Sequence, residues 1–227
     1  MYQERPSRLK GSVVWRRRTT PGEIRILPDG CMDLIWTDAG DLLVAGPDTR
    51  AHMYAGQRGR SLVGIRFAPG VGPLALGVAA SELRDQRVPL ESIWRPADAR
   101  RLADQMAISP HPGIVLEAVA EDRLGESDRS AVTNAQIVRL VRAGHNMGRI
   151  AAAIGISERQ LRRRSLVAFG YGPKTLARIL RLRRAVDLAG SGAAFADVAA
   201  ETGYSDQAHL ARDVRALAGV SLSVLSR

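Results

Sequence analysis

The chain has 227 residues, 45% of them hydrophobic, with 33 Lys and Arg against 23 Asp and Glu and a net charge of +10. No apolar run reaches the ~20 residues of a membrane-spanning helix, and the start, Met1-Tyr-Gln-Glu-Arg-Pro6, lacks the apolar core of a signal peptide, so a cytoplasmic protein with no membrane partner is expected. One cysteine, Cys31, excludes an internal disulfide framework and a multi-cysteine zinc site, and His52, His111, His145 and His209 show no ligand spacing, so no metal, cofactor or catalytic group is expected.

In chain order, the first half reads as strands. Ile24 and Ile26 alternate about Arg25, Met32, Leu34 and Trp36 share one face, and Val63, Ile65 and Phe67 alternate with Gly64 and Arg66. Turn signals at Pro28-Asp-Gly30, Asp38-Ala-Gly40, Gly46-Pro-Asp48 and Gln57-Arg-Gly59 punctuate the runs. About six short strands between residues 12 and 68 predict a small antiparallel β-barrel or sandwich. Helical patterns follow near Val71–Val78, Ser81–Leu83, Ala97–Ala107 and Gly113–Leu124. The polar stretch Gly125–Ser130 predicts a linker, placed at residues 126–132 between a β-rich domain (1–125) and a helical one (133–227).

The helical half contains a repeat. Ile150-Ala-Ala-Ala-Ile-Gly-Ile-Ser157 returns 48 residues later as Val198-Ala-Ala-Glu-Thr-Gly-Tyr-Ser205, a duplication with its turn chemistry in register. In each copy the alanines suit a packing helix, Gly155 or Gly203 suits its positive-φ end, and Ser157 or Ser205 is the expected cap of the next helix. Ser157-Glu-Arg-Gln160 has the form of a capping box. Two helix-turn-helix units are therefore predicted, at about 147–169 and 196–217, joined by a long helix that Pro173 opens and that runs to about Leu188. Residues 131–227 carry 15 Lys and Arg against 6 Asp and Glu, whereas residues 1–130 carry 18 against 17. A basic excess confined to one half is the electrostatic footprint of a nucleic-acid surface, and with the helix-turn-helix repeat the expected partner is double-stranded DNA.

Helical geometry selects candidate readers. With Leu161 and Leu210 facing inward, Arg159, Gln160 and Arg163 in the first unit and Gln207, His209 and Arg212 in the second are the expected base contacts, because Arg matches guanine and Gln matches adenine edges. Arg162, Arg164, Lys174 and Arg178 are the expected phosphate contacts. Ala208 is placed for a thymine methyl.

Three groups of residues, Ser157-Glu-Arg-Gln-Leu-Arg-Arg163 with Phe169-Gly-Tyr-Gly-Pro173, Arg181-Leu-Arg-Arg-Ala185, and Gly203-Tyr-Ser-Asp-Gln-Ala-His-Leu210, resemble the AraC/XylS family of bacterial transcription regulators in order and spacing over about ninety residues. The resemblance implies an α+β two-domain chain: a cupin-like N-terminal antiparallel β-barrel with helices, and an all-α DNA-binding domain whose recognition helices enter successive major-groove segments. Ser165 and Val214 stand where the family usually buries an aromatic residue, and Gly219-Val-Ser-Leu-Ser223 lacks the proline usual after its serine. The segment Leu27–Trp36 is similar to the strand motif of an uncharacterised branch. A small-molecule effector, a homodimer through the N-terminal domain and RNA polymerase are the partners so implied. Cys31, Asp33, Trp36 and Arg66 are the candidate effector pocket, with Asp29 and His52 beside them. Two other readings stand against the ligand-responsive regulator: a Cys31-dependent alkyl acceptor or thiol sensor coupled to DNA binding, and an architectural DNA-binding protein without a sensor. The chain shows no hydrolase, nucleotide-binding or metal motif and is not expected to be an enzyme.

Overall fold

A computed structural model of the chain describes residues 1–56, 59–125 and 128–226. Six strands pair antiparallel in one sheet: β1 (Tyr2–Pro6), β2 (Val13–Arg18), β4 (Met32–Thr37), β5 (Leu42–Ala45), β7 (Ser61–Phe67) and β8 (Arg87–Pro89), in the order β1-β2-β7-β4-β5-β8. A separate ribbon joins β3 (Gly22–Ile26) to β6 (His52–Gly56). β1 and β8 are additions to the six strands the alternation predicts. β1 is exposed along its whole length and β8 is three residues long, so neither carries a hydrophobic pattern.

One face of the sheet, with Val14, Leu34, Val44, Ile65 and Phe67, is buried against α1 (Gly72–Leu76), a 3-10 turn at Ala80–Glu82, α2 (Pro96–Ile108) and α3 (Pro112–Leu124). Residues two apart on a strand share a face, which is why Leu34 and Ile65, directly opposite in register, both end in this core.

The helical half begins earlier than expected. α4 (Asp128–Arg142) takes in residues 128–132, so most of the predicted linker is helix; Glu126 and Ser127, like Gln57 and Arg58 of one predicted turn, lie outside the described residues. The physical reason lies in packing. Asn134, nearly two turns into α4 and buried, donates from Nδ2 to the carbonyl of Gly70 at 2.8 Å, so the first half of the helix is held against the first domain. The rest follows the repeat: α5 (Met147–Ala153), α6 (Glu158–Phe169), α7 (Pro173–Gly190), α8 (Phe195–Thr202), α9 (Gln207–Ala218) and α10 (Leu222–Leu225). The 18 residues of α7 span about 27 Å at 1.5 Å each. Leu176, Ile179 and Leu180 of α7 enter the first unit's core, and Leu182, Ala185 and Ala189 enter the second's. A β-rich half followed by an all-helical half is the architecture the sequence predicts.

Candidate nucleic-acid interface

The first turn is built as the sequence indicates. Ser157 caps α6 by accepting from the Gln160 amide at 3.2 Å, and Gln160 Oε1 accepts from the Ser157 amide at 2.8 Å. Gly170 ends the helix at φ +81°, a conformation that favours glycine.

The second turn differs. Asp206, not Ser205, caps α9, accepting from the His209 amide at 2.6 Å. A carboxylate is the stronger acceptor for helix N-terminal amides, and that hydrogen bond, the largest cause, holds the Asp206 carboxyl below its usual range. Ser205 instead places its hydroxyl 3.1 Å from His209 Nδ1. The turn after Gly203 is thus one residue longer than the turn after Gly155. The two recognition helices therefore align with an offset of 49 residues rather than 48, Ser157 matching Asp206, Leu161 matching Leu210 and Gly170 matching Gly219. Leu161 and Leu210 are buried, as expected.

This alignment sorts the candidate readers. Arg163 and Arg212 are equivalent, both exposed, and neither is held in an ion pair among the described residues. Arg159 matches Ala208, both exposed near the helix starts. Gln160 matches His209, and both side chains turn back to their own caps, Gln160 in its capping box and His209 against Ser205 and edge-on to the Tyr204 ring at 5.1 Å. Gln207 is exposed in the first turn of α9.

Of the four predicted phosphate contacts, Arg162, Lys174 and Arg178 are exposed and Arg164 is half-buried. Arg164 and Arg178 also have internal partners. Arg164 donates from Nε to Asn134 Oδ1 at 3.1 Å and from Nη2 to the Ser130 carbonyl. Arg178 donates from Nε to Asp213 Oδ1 at 2.9 Å. In each case the side-chain acceptor, Asn134 or Asp213, is a buried residue on another element. Arg215, exposed one turn beyond Arg212, is a further basic group on the same face. Its signal, an (i, i+3) spacing from Arg212, was present in the sequence.

Ser165 is fully buried and its hydroxyl finds no partner among the described residues, while Val214 is buried in the second core.

In the β-rich half, the predicted pocket is divided by the pleat of β4. Asp33 lies opposite Arg66 in register and accepts from the Trp15 indole N–H at 2.6 Å. Arg66 also lies 3.5 Å from Asp29. Although burial opposes its charge, Asp33 and Asp29 hold the Arg66 guanidinium above its usual range. Cys31 joins this cluster, its amide donating to Asp29 Oδ1 at 2.9 Å. Burial, then the Asp29 charge, pushes its thiol well up. Trp36 does not join. Three residues from Asp33, it projects through the opposite face, packs on the domain core and lines a separate cleft of about 1300 Å³ with Val63, Arg16, Gly113 and Ile114. Its indole nitrogen is buried without a partner among the described residues. His52 sits in the ribbon opposite Ile26. A smaller groove, about 430 Å³, lies where the halves meet, between Pro73 and Leu74 of α1 and Gln160, Arg163 and Val167 of α6.

Among the described residues no helix is long and apolar enough to cross a membrane, and no group of three or more His, Cys, Asp or Glu is arranged to hold a metal ion.

Residues 150–227 match the model of a helix-turn-helix domain, and residues 12–89 match a domain of unknown function, DUF6597. No curated protein matches the chain. Among solved structures, an AraC-type transcriptional regulator from Chromobacterium violaceum is similar at 23% identity and a TM-score of 0.41, over 44% of this chain and 93% of that one. ToxT from Vibrio cholerae is similar at 10% identity and a TM-score of 0.48, over 99% of this chain and 97% of that one, and its unsaturated-fatty-acid-bound form at 9% and 0.46, over 94% of each. The matched segment, about a third of the chain, shows a helix-turn-helix domain over residues 150–227.

Proposed function

We propose that the N-terminal ends of α6 and α9 enter two successive major-groove segments on one side of the duplex, with Arg163 and Arg212 as the paired base readers. The observation that carries this reading is their equivalence under the cap alignment, each exposed one turn into its helix. Arg can make a bidentate contact to guanine O6 and N7. Arg159 and Gln207 lie beside them. Gln160 and His209 reach bases only with the donors their caps leave free, and Arg162 and Lys174 suit phosphates. The separation of the segments is one helical turn, about 34 Å.

In the same reading the β-rich half responds to a small effector. The cleft lined by Trp36 gives it room for one, and β1, exposed along one edge of the sheet, offers an edge to a second copy. Contact with RNA polymerase would follow from promoter binding.

The test is footprinting of the full chain on genomic fragments selected by binding. Two protected major-groove segments about one turn apart (~34 Å) are expected. Affinity should fall steeply with salt, log K losing about 0.9 per phosphate contact for each decade. One protected segment, or salt-independent binding, refutes the reading.

A further inference from the structure

The two recognition helices share a feature at the ends away from their caps. The C-terminus of α6 and the C-terminus of α9 both rest on the β-rich domain. At α6, the Gly170 carbonyl accepts from Arg84 Nη1 at 3.4 Å, and the chain is so close that a Cβ on Gly170 would lie 2.6 Å from Pro47 Cγ and 3.1 Å from the Ala80 carbonyl. At α9, the Leu217 carbonyl accepts from the Ala51 amide at 2.7 Å and the Ala218 carbonyl accepts from Arg25 Nη1 at 2.7 Å. Each helix end thus meets a guanidinium, which complements the negative end of a helix dipole.

The contacts come from a stiff region. Pro47 and Ala51 belong to one short loop between β5 and β6, so a single segment touches both recognition helices. That loop is fastened along its length. Asp48 pairs with Arg87, the Thr49 amide donates to Asp85 Oδ1 at 2.6 Å, and the Asp85 amide donates to the Pro47 carbonyl at 3.1 Å. Asp85 is held at φ +59°, a conformation rare for a residue with a side chain. At the loop's start, a Cβ on Gly46 would collide with the Leu83 carbonyl, which leaves the segment no room to shift.

The spacer helix alone would connect the two helix-turn-helix units as a single rod, about which they can twist. Pinning the far ends of α6 and α9 to one rigid body closes a frame. We infer that the β-rich domain sets the spacing and phase of the two recognition helices through Arg84 with Pro47 at one end and Arg25 with Ala51 at the other, so that these residues determine which separation of DNA half-sites is accepted. They are positioning residues: none lies on the outward face that carries Arg163 and Arg212. The inference rests on the two-segment reading given above. It extends that reading by assigning spacing specificity to the domain that does not touch DNA. Because one base pair turns the duplex by about 35°, a small relaxation at these contacts is felt as tolerance of a wrong spacer.

The experiment uses the full chain and a series of duplexes in which the two half-sites are separated by the best spacer or by one base pair more or fewer, together with duplexes carrying one half-site only. Wild type should prefer the best spacer. In Arg25→Ala with Arg84→Ala that preference should fall about tenfold, the scale of one hydrogen bond to a charged group, while binding to single half-sites and the thermal unfolding midpoint stay near wild type. Arg25→Lys, which keeps a cation at the α9 terminus, should recover part of the preference. A double variant with the wild-type spacer profile, or one that binds better at every spacer, overturns the inference. If the double variant is unstable, Arg25→Ala alone supplies the same comparison. Loss of single half-site binding in the wild-type chain would instead refute the underlying DNA-reading assignment.

Discussion

Arg178 of the spacer helix and Asp213 of the second recognition helix form a hydrogen-bonded ion pair, with Nε to Oδ1 at 2.9 Å. Asp213 is buried at 9% side-chain exposure, and its other oxygen accepts from the Tyr204 hydroxyl at 3.1 Å. The pair holds α9 against α7, and it gives the half-exposed Arg178 an internal partner beside whatever contact it makes outside. Arg178→Ala should therefore cost about 1–3 kcal/mol of stability by leaving a buried carboxylate half satisfied, with a lower unfolding midpoint and weaker binding of all DNA. Lys174→Ala should weaken DNA binding and leave the midpoint unchanged. Equal midpoints for the two variants would show that Arg178 does not serve as a structural strut.

The cap alignment separates two kinds of substitution on the recognition helices. Arg163→Ala and Arg212→Ala should each lose about 1–3 kcal/mol on the selected site and relax preference at one base position. Ser157→Ala, which removes a cap, should lower stability by about 1 kcal/mol and leave base preference alone. Competition assays against single-base variants of the site decide the matter: the same loss on every sequence for both arginines would place them on phosphates.

Glu117 supplies a pH dependence. It is buried on α3 and accepts from both terminal nitrogens of Arg5, at 3.1 and 2.6 Å, and from the Arg8 amide at 3.0 Å. Burial works to raise its carboxyl, and these hydrogen bonds overcome it, so the net direction is downward. A depressed carboxyl binds its proton less readily folded than unfolded, so its stabilisation is complete above the unfolded value, about 4.3 for Glu, and is lost as pH falls through the folded one. Thermal midpoints should drop below about pH 4 in wild type. Glu117→Gln should be less stable at neutral pH, by about 1–2 kcal/mol given that Arg5 is half exposed, and should show a shallower acid decline. An identical acid profile in the variant would remove Glu117 from the account.

Cys31 gives the contrary case. A raised thiol keeps its proton when folded, and the thiolate is the reactive form. Iodoacetamide at pH 8 should leave the native chain largely unlabelled over a time in which the urea-unfolded chain is labelled fully. Rapid native labelling would favour the alkyl-acceptor or thiol-sensor reading.

What the sequence made legible was local. The capping box at Ser157 and Gln160, the glycine ends at Gly155, Gly170 and Gly203, and the inward faces of Leu161 and Leu210 depend on contacts within a few residues, and pattern alone located them. The cap at Asp206 escaped because identity between the copies aligned Ser205 with Ser157, and only the backbone shows the extra residue in the second turn. Trp36 was grouped with Asp33 although an odd spacing on one strand separates them. The internal partners of Arg164 and Arg178 were not foreseen because charge is visible in a sequence and a buried acceptor on another element, Asn134 or Asp213, is not. The same limit hid Arg25, Ala51 and Arg84, whose partners lie far along the chain.

The close approach of Gly70 to Phe169 and Asn134, where a Cβ would lie 2.8 Å from either side chain, bears on how such a chain can change over evolutionary time. A boundary without room for one methyl group is not a joint between interchangeable modules. A chimaera that grafts this helical half onto another sensor keeps these contacts only where that sensor brings a glycine to the place of Gly70 and a loop that fits Gly170. Exchange of either half alone therefore has to satisfy both close approaches at once.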